Sequence, residues 1–212
     1  MDVIEAIKSR RTIRKFQSKS IPDKVLYAIL DAANYAPAAG SYYNWRFIII
    51  TDSANKSVLA NASYGQEFIT GAPVLVLVCS DSDALINDFG DEKGKDYALQ
   101  NSSAAMQNIL LAAYNFGVGS CWCGIDKEKA IREALRIPDN IDIHGLIALG
   151  YPREAPRMSG KLNLGDVTFF NKWDNRVKRS SPLFPLLEKF ESAAKKVTSK
   201  LKLKRKASKN KK

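Results

Sequence analysis

The densest chemistry in the sequence lies at Ser9-Arg10-Arg11-Thr12-Ile13-Arg14-Lys15-Phe16, where three arginines and a hydroxyl crowd the end of an amphipathic run. Guanidinium forks match phosphate oxygens bidentately, and a helix C-terminus favours cations. Composition alone leaves two readings open, a phosphate cradle and a solvated basic face, and such runs more often form the face. Two other segments are rich in small residues: Ala36-Pro37-Ala38-Ala39-Gly40-Ser41-Tyr42-Tyr43-Asn44-Trp45 and Gly117-Val118-Gly119-Ser120-Cys121-Trp122-Cys123-Gly124. Each would let backbone approach a flat ligand, and Tyr and Asn in the first offer directional hydrogen bonds. Each also reads as an ordinary loop.

Other chemistries find little support. The one histidine, His144, lies in a strand lead-in with no local nucleophile signature, which favours a hydrogen-bonded structural role over a Ser-His-Asp or Cys-His mechanism. No GxGxxG follows a strand, no P-loop is present, and carboxylates are scattered rather than paired. Cys79, Cys121 and Cys123 are odd in number and lie in apolar or Gly-rich stretches, so they read as buried thiols rather than disulfides, a dithiol pair or a metal site.

The elements that must position these residues alternate between helical and extended patterns. A helix is expected over residues 2–9, with Asp2 and Glu5 as a capping box and Val3, Ile4 and Ile7 on one face. A second should begin near Pro22, carry Val25, Leu26, Ile29, Leu30 and Ala33, and stop at Pro37. Residues 47–51, 74–79 and 145–150 read as buried strands, the first two as the sheet centre, with a short helix from Ser53 between them. Residues 81–94, polar, acidic and broken by glycine, read as a mobile loop. A long central helix over 96–116 places Leu99, Met106, Ile109, Leu110 and Ala113 on one face, and a helix over 126–135 is expected to be capped by Asp126. Phe169, Phe170 and Trp173 form an aromatic segment that needs a docking surface, and Pro182 and Pro185 introduce a last helix.

The length of 212 residues and 45% apolar content suit one α/β domain with an appendage. Neither a membrane-spanning run nor a signal peptide is visible, so a cytoplasmic protein is expected. The net charge of +11 is local: residues 195–212 carry ten Lys or Arg and no acid, leaving 23 basic against 22 acidic residues elsewhere. The chain therefore reads as a domain over 1–192 and a basic, disordered tail over 193–212. The tail has neither stacking aromatics nor an amphipathic period, which favours a solvated role over nucleic-acid or anionic-surface binding.

Taken in order, the segments resemble the nitroreductase family of FMN enzymes from Met1 to about Trp173. The resemblance rests on the arginine segment, Ala36-Pro37-Ala38-Ala39-Gly40 before a Trp and a strand, and Gly71-Ala72-Pro73. Further on it rests on Ala105-Met106-Gln107-Asn108, Gly119-Ser120-Cys121-Trp122 and Leu149-Gly150-Tyr151-Pro152. It implies an α+β fold, a three-layer α/β/α sandwich with a mostly antiparallel central sheet, in an intertwined homodimer with FMN at the subunit interface. It also implies hydride transfer from NADH or NADPH through flavin to a nitroaromatic, quinone or activated alkene. The same scaffold also serves dehalogenation, azoline oxidation and flavin destruction.

Carried onto this chain, the resemblance makes Arg10, Arg11, Thr12 and Arg14 ligands of the FMN phosphate and ribityl end, with Arg14 reaching toward the pyrimidine edge and Lys161 a late phosphate ligand. Ala38, Ala39 and Gly40 pass the flavin from the partner subunit, Trp122, Cys123 and Gly124 cover one ring face, and Gln66 contacts the ring or acceptor. No side-chain acid or base is required. Where many relatives carry Asn-x-Gln-Pro-Trp, this chain has Ser41-Tyr42-Tyr43-Asn44-Trp45, which leaves Ser41 and Tyr43 as the candidate contacts in place of the usual amide.

Overall fold

The computed structural model describes residues 2–158 and 160–176. The chain divides into two compact units, Met1–Met158 and Ser159–Lys212. The first holds six helices among its described residues: α1 (Val3–Ser9), α2 (Asp23–Asn34), α3 (Ser53–Ala62), α4 (Asp83–Phe89), α5 (Asp91–Asn115) and α6 (Glu128–Leu135). Its four strands are β1 (Trp45–Ile50), β2 (Val74–Asp81), β3 (Gly119–Cys123) and β4 (Ile141–Gly150).

The strands form one sheet in the order β1-β2-β4-β3, and every pairing is antiparallel. Alternation along β2 explains the layering, because successive side chains of a strand point to opposite faces. Val74, Val76 and Val78 pack with Ile147 and Leu149 against Ile29 and Ala33 of α2 and Met106 and Ile109 of α5. Leu75 and Leu77 pack with Leu146 and Ala148 against Leu59 of α3 and Ile131 of α6. The result is the expected three-layer α/β/α sandwich. Truncating a fully buried residue such as Ile147 would cost about 2–5 kcal/mol, since both layers close on the sheet.

Several local expectations are corrected. Residues 81–94 are not a loop: α4 occupies Asp83–Phe89 and α5 already begins at Asp91. Leu85 anchors α4 in the interior, and a Cβ on Gly94 would stand 2.5 Å from the Ile86 Cα, so the missing side chain lets the two helices close together. Leu99 is exposed; the inner face of α5 uses Ala98, Asn101, Ser102, Ala105, Met106, Ile109, Leu110 and Ala113. β1 is an edge strand with Arg46 and Ile49 exposed, and the sheet centre is β2 with β4.

The caps also differ. Asp2 alone caps α1, its carboxylate accepting from the Ile4 N–H at 3.4 Å. The residue before α6 is Lys127, not Asp126, and it makes no side-chain cap. Helix α2 ends at Asn34, three residues before Pro37.

In the second unit, Asn163 caps a short 3-10 turn at Leu164–Asp166 by accepting the Gly165 N–H at 2.9 Å. The aromatic segment folds on itself, with the Phe169 and Trp173 rings 4.7 Å apart. The helix expected after Pro182 and the boundary expected at 192/193 lie outside the described residues, as does the basic tail.

Candidate functional site

The arginine segment leaves α1 and runs along the ends of β3 and β4. Thr12 bridges Ser120 in parallel, with the Ile13 N–H donating to the Ser120 carbonyl at 3.0 Å. Further along, the Gln17 N–H donates to the Tyr151 carbonyl at 2.8 Å and the Arg153 N–H to the Lys15 carbonyl at 2.9 Å. The segment is thereby hydrogen-bonded to the sheet at both of its ends. Ile13 and Phe16 point into the core and leave the intervening Arg14 outward.

The arginines differ in their surroundings. Nη1 of Arg11 donates to the carbonyls of Lys8 and Arg10, both at 2.8 Å, so part of its fork satisfies the open end of α1. Arg14 lies 5.8 Å from the centroid of the Phe68 ring. The thiol of Cys121 is held below its ordinary value, first by its side-chain contact with Cys123 and then by Arg14 and Arg10, against the opposing effect of burial. Among the described residues, Arg10, Arg11 and Arg14 form no ion pair with a carboxylate. Three neighbouring cations without a carboxylate partner among the described residues suit an external dianion such as a phosphate, because no described ion pair has to be broken to admit it.

Four further predicted residues, from two segments, join this patch. The backbone of β3 continues through half-exposed Trp122, buried Cys123 and exposed Gly124, and Gly124 comes close to the Tyr64 ring. The N–H groups of Asp126 and Lys127 donate to the Ala62 carbonyl at 2.8 and 3.0 Å, which brings the turn at 63–66 alongside. Gln66 lies in that turn, but its side-chain amide donates to the Ser63 carbonyl at 2.9 Å, which leaves the amide oxygen as the polar group of its side chain without a bond among the described residues. Arg10, Arg11, Thr12, Arg14, Gln66, Trp122, Cys123 and Gly124 thus share one edge of the first unit. Lys161 belongs to the second unit.

The remaining predicted group stands elsewhere on the same chain. Ala38, Ala39, Gly40, Ser41 and Tyr43 form a strap whose contacts run to α4 and α5: the Ala39 N–H donates to Asn101 Oδ1 at 2.9 Å, and the Tyr42 hydroxyl donates to Asp88. That bond raises the Tyr42 hydroxyl above its ordinary value. Ser41 and Tyr43 are exposed, whereas Asn44 is buried. The departure from the family pattern therefore has a structural form, in which the amide at position 44 faces the protein interior.

Sequence reasoning missed three contributors. Asn101 ties down the strap, and a buried asparagine inside a long apolar helix face was its available signal. Gly119 and Gly150, quoted only as parts of motifs, seat the arginine segment. His144 behaves as expected: its Nε2 lies 2.6 Å from the buried Ser80 hydroxyl. Burial lowers its ring below the ordinary value, partly offset by Asp142 and Glu128. Cys121 and Cys123 lie two residues apart on one strand, about 6.6 Å between Cα atoms with parallel Cβ vectors, which blocks a disulfide without bending β3.

The fold and this edge define an α+β sandwich with a cluster of arginines along one edge, and comparison with known proteins identifies the family. The nitroreductase family model matches residues 7–66 and 57–151, and the chain belongs to that family. A Methanothermobacter thermautotrophicus protein, named provisionally an NADH dehydrogenase/NAD(P)H nitroreductase, is 37% identical over 160 residues, covering 74% of this chain and 80% of that protein. An FMN-dependent nitroreductase from Clostridium difficile R20291 superposes with a TM-score of 0.69 at 27% identity over 80% of this chain and 99% of its own. A provisionally named nitroreductase from Desulfovibrio desulfuricans, solved in complex with FMN, gives 0.72 at 26% identity over 82% and 98%. No helix among the described residues is long and apolar enough to cross a membrane.

Proposed function

We propose that this member of the nitroreductase family is an FMN-dependent oxidoreductase that passes reducing equivalents from NADH or NADPH to a small oxidised acceptor, a nitroaromatic, quinone or activated alkene. The observation that carries the reading is the group Arg10, Arg11 and Arg14, seated on the sheet edge with no carboxylate partner among the described residues. When bound, FMN supplies the hydride chemistry, which no side chain of the protein provides.

The chain's own residues bind, orient and exclude water. Arg10, Arg11 and Thr12 hold the phosphate and ribityl end. Arg14, 5.8 Å from the Phe68 ring centroid and with no carboxylate partner among the described residues, would place positive charge at the ring edge where negative charge gathers on reduction. Trp122, Cys123 and Gly124 cover one ring face with strand backbone, and Gln66 offers its amide oxygen at the border.

Ala38, Ala39, Gly40, Ser41 and Tyr43 reach the ring of a second copy. In support, Val3, Ile4 and Ile7 on α1 and Leu99 on α5 are large apolar residues left uncovered in one chain. The assembly is thus a homodimer whose sites are completed across the interface.

The test is the absorption spectrum of the purified protein together with NAD(P)H oxidation measured with and without nitro and quinone acceptors. Flavin bands and acceptor-stimulated oxidation are expected. A colourless, monomeric protein that takes up no added FMN would refute the reading.

A further inference from the structure

Asn101 lies on the inner face of α5, and its amide is used in three directions. Oδ1 accepts the Ala39 N–H at 2.9 Å, and Nδ2 donates to the Tyr42 carbonyl at 3.2 Å and to Asn44 Oδ1 at 3.0 Å. One side chain therefore fastens the beginning, middle and end of the strap. Asparagine is a poorer helix former than alanine or leucine, so the gain at this position comes from the bonds it makes outside the helix. Asn44 is buried as well: its oxygen is held by Asn101 and its Nδ2 has no partner among the described residues. A second tie, from the Tyr42 hydroxyl to Asp88, holds the strap to α4.

We propose that Asn101 is the positioning residue that sets the course of residues 39–44 past the flavin, and that Asn44 serves this internal anchor instead of touching the ring. The inference rests on the strap being a flavin contact, as read above. It leaves Ser41, Tyr43 and the strap backbone as the groups that meet the cofactor, and it accounts for the chain's departure from an outward-facing amide. The asparagine of this segment faces inward and pairs with a second asparagine on α5.

Two substitutions in the full chain test it. Asn101→Ala keeps α5 intact, because alanine is the best helix former, and removes all three ties. FMN affinity, followed by flavin fluorescence, is expected to weaken about tenfold or more, and the Ala39 amide of flavin-free protein to exchange with deuterium about tenfold faster. The visible band of bound flavin should change shape as well.

Asn101→Asp still accepts from Ala39 and, after a flip of the Asn44 amide, from the otherwise unpartnered Asn44 Nδ2. It should hold FMN within about threefold of the parent. Wild-type affinity and an unchanged spectrum in Asn101→Ala would overturn the proposal. So would a greater than about tenfold loss in Asn101→Asp at native thermal stability, which also decides the matter if the alanine variant fails to fold. If the parent protein binds no FMN, the flavin reading fails instead, and exchange at Ala39 still reports whether Asn101 fixes the strap.

Discussion

Gly119 and Gly150 are register partners across β3 and β4, and together they form the bare patch on which the arginine segment lies. A Cβ on Gly119 would stand 2.8 Å from Ile13 Cγ1, and one on Gly150 would stand 2.8 Å from Phe16 Cδ1. Ile13 and Phe16 flank Arg14, so two absent side chains set the height of the guanidiniums above the sheet.

Gly119→Ala should therefore damage fold and site together. Displacing Ile13 from its seat is an overpacking change of about 1–3 kcal/mol, visible as a lower Tm, and FMN affinity should fall with it as Arg10 to Arg14 lift away. A variant with parental Tm and parental affinity would show that the seat can yield without moving the arginines.

Arg10 and Arg14 should separate the two ends of the cofactor. Losing a charge-assisted hydrogen bond weakens binding by about 1.5–3 kcal/mol, or roughly ten- to a hundredfold. Arg10→Ala should weaken FMN by that factor while leaving riboflavin, which lacks the phosphate, unaffected. Arg14→Ala should weaken both flavins and also slow turnover. Equal loss of riboflavin binding in Arg10→Ala would move that residue away from the phosphate.

His144 gives the protein an acid limb. Burial holds its native-state value below the ordinary 6.5, so the unfolded chain takes up a proton first. The stability due to the neutral ring is complete above about pH 6.5 and is lost as pH falls through that value toward the lower native one. Wild-type Tm should drop between pH 7.5 and 5.5 by more than that of His144→Gln, measured in the same buffers. Parallel curves would remove His144 as the source.

The thiols should be silent in the folded protein. Cys79, Cys121 and Cys123 are all buried, and burial pushes the Cys79 thiol up to about 11. An aromatic disulfide reagent at pH 8 should titrate none of them in native protein and all three in guanidinium chloride. Rapid reaction of one thiol in the native state would point to opening of the β3 edge beside Arg14.

The helical period of α2, the aliphatic runs of β2 and β4, and the cluster at Arg10, Arg11 and Arg14 were legible because each is a local pattern. Period 3.6, period 2 and the crowding of like charges survive in one dimension. The antiparallel pairing is not local and came from the family likeness rather than from any strand's own residues, and the order β1-β2-β4-β3 came only from the tertiary structure. Helix α4 was hidden because its acidic, mostly exposed sequence buries chiefly Leu85; its stability comes from packing on α5 at Gly94, a contact between residues that a linear reading assigned to a loop.

The sequence by itself determined which side chains carry charge and which segments are apolar enough to form the sandwich. Only the tertiary structure decided where those charges stand. Gly119 and Gly150 became a seat through strand register, Asn101 became the anchor of residues 39–44 through a helix 57 to 62 positions away, and Asn44 turned inward to meet it. Each of these depends on long-range closure, in which a hydrogen bond or a missing methyl acquires meaning only once its distant partner has been brought within reach.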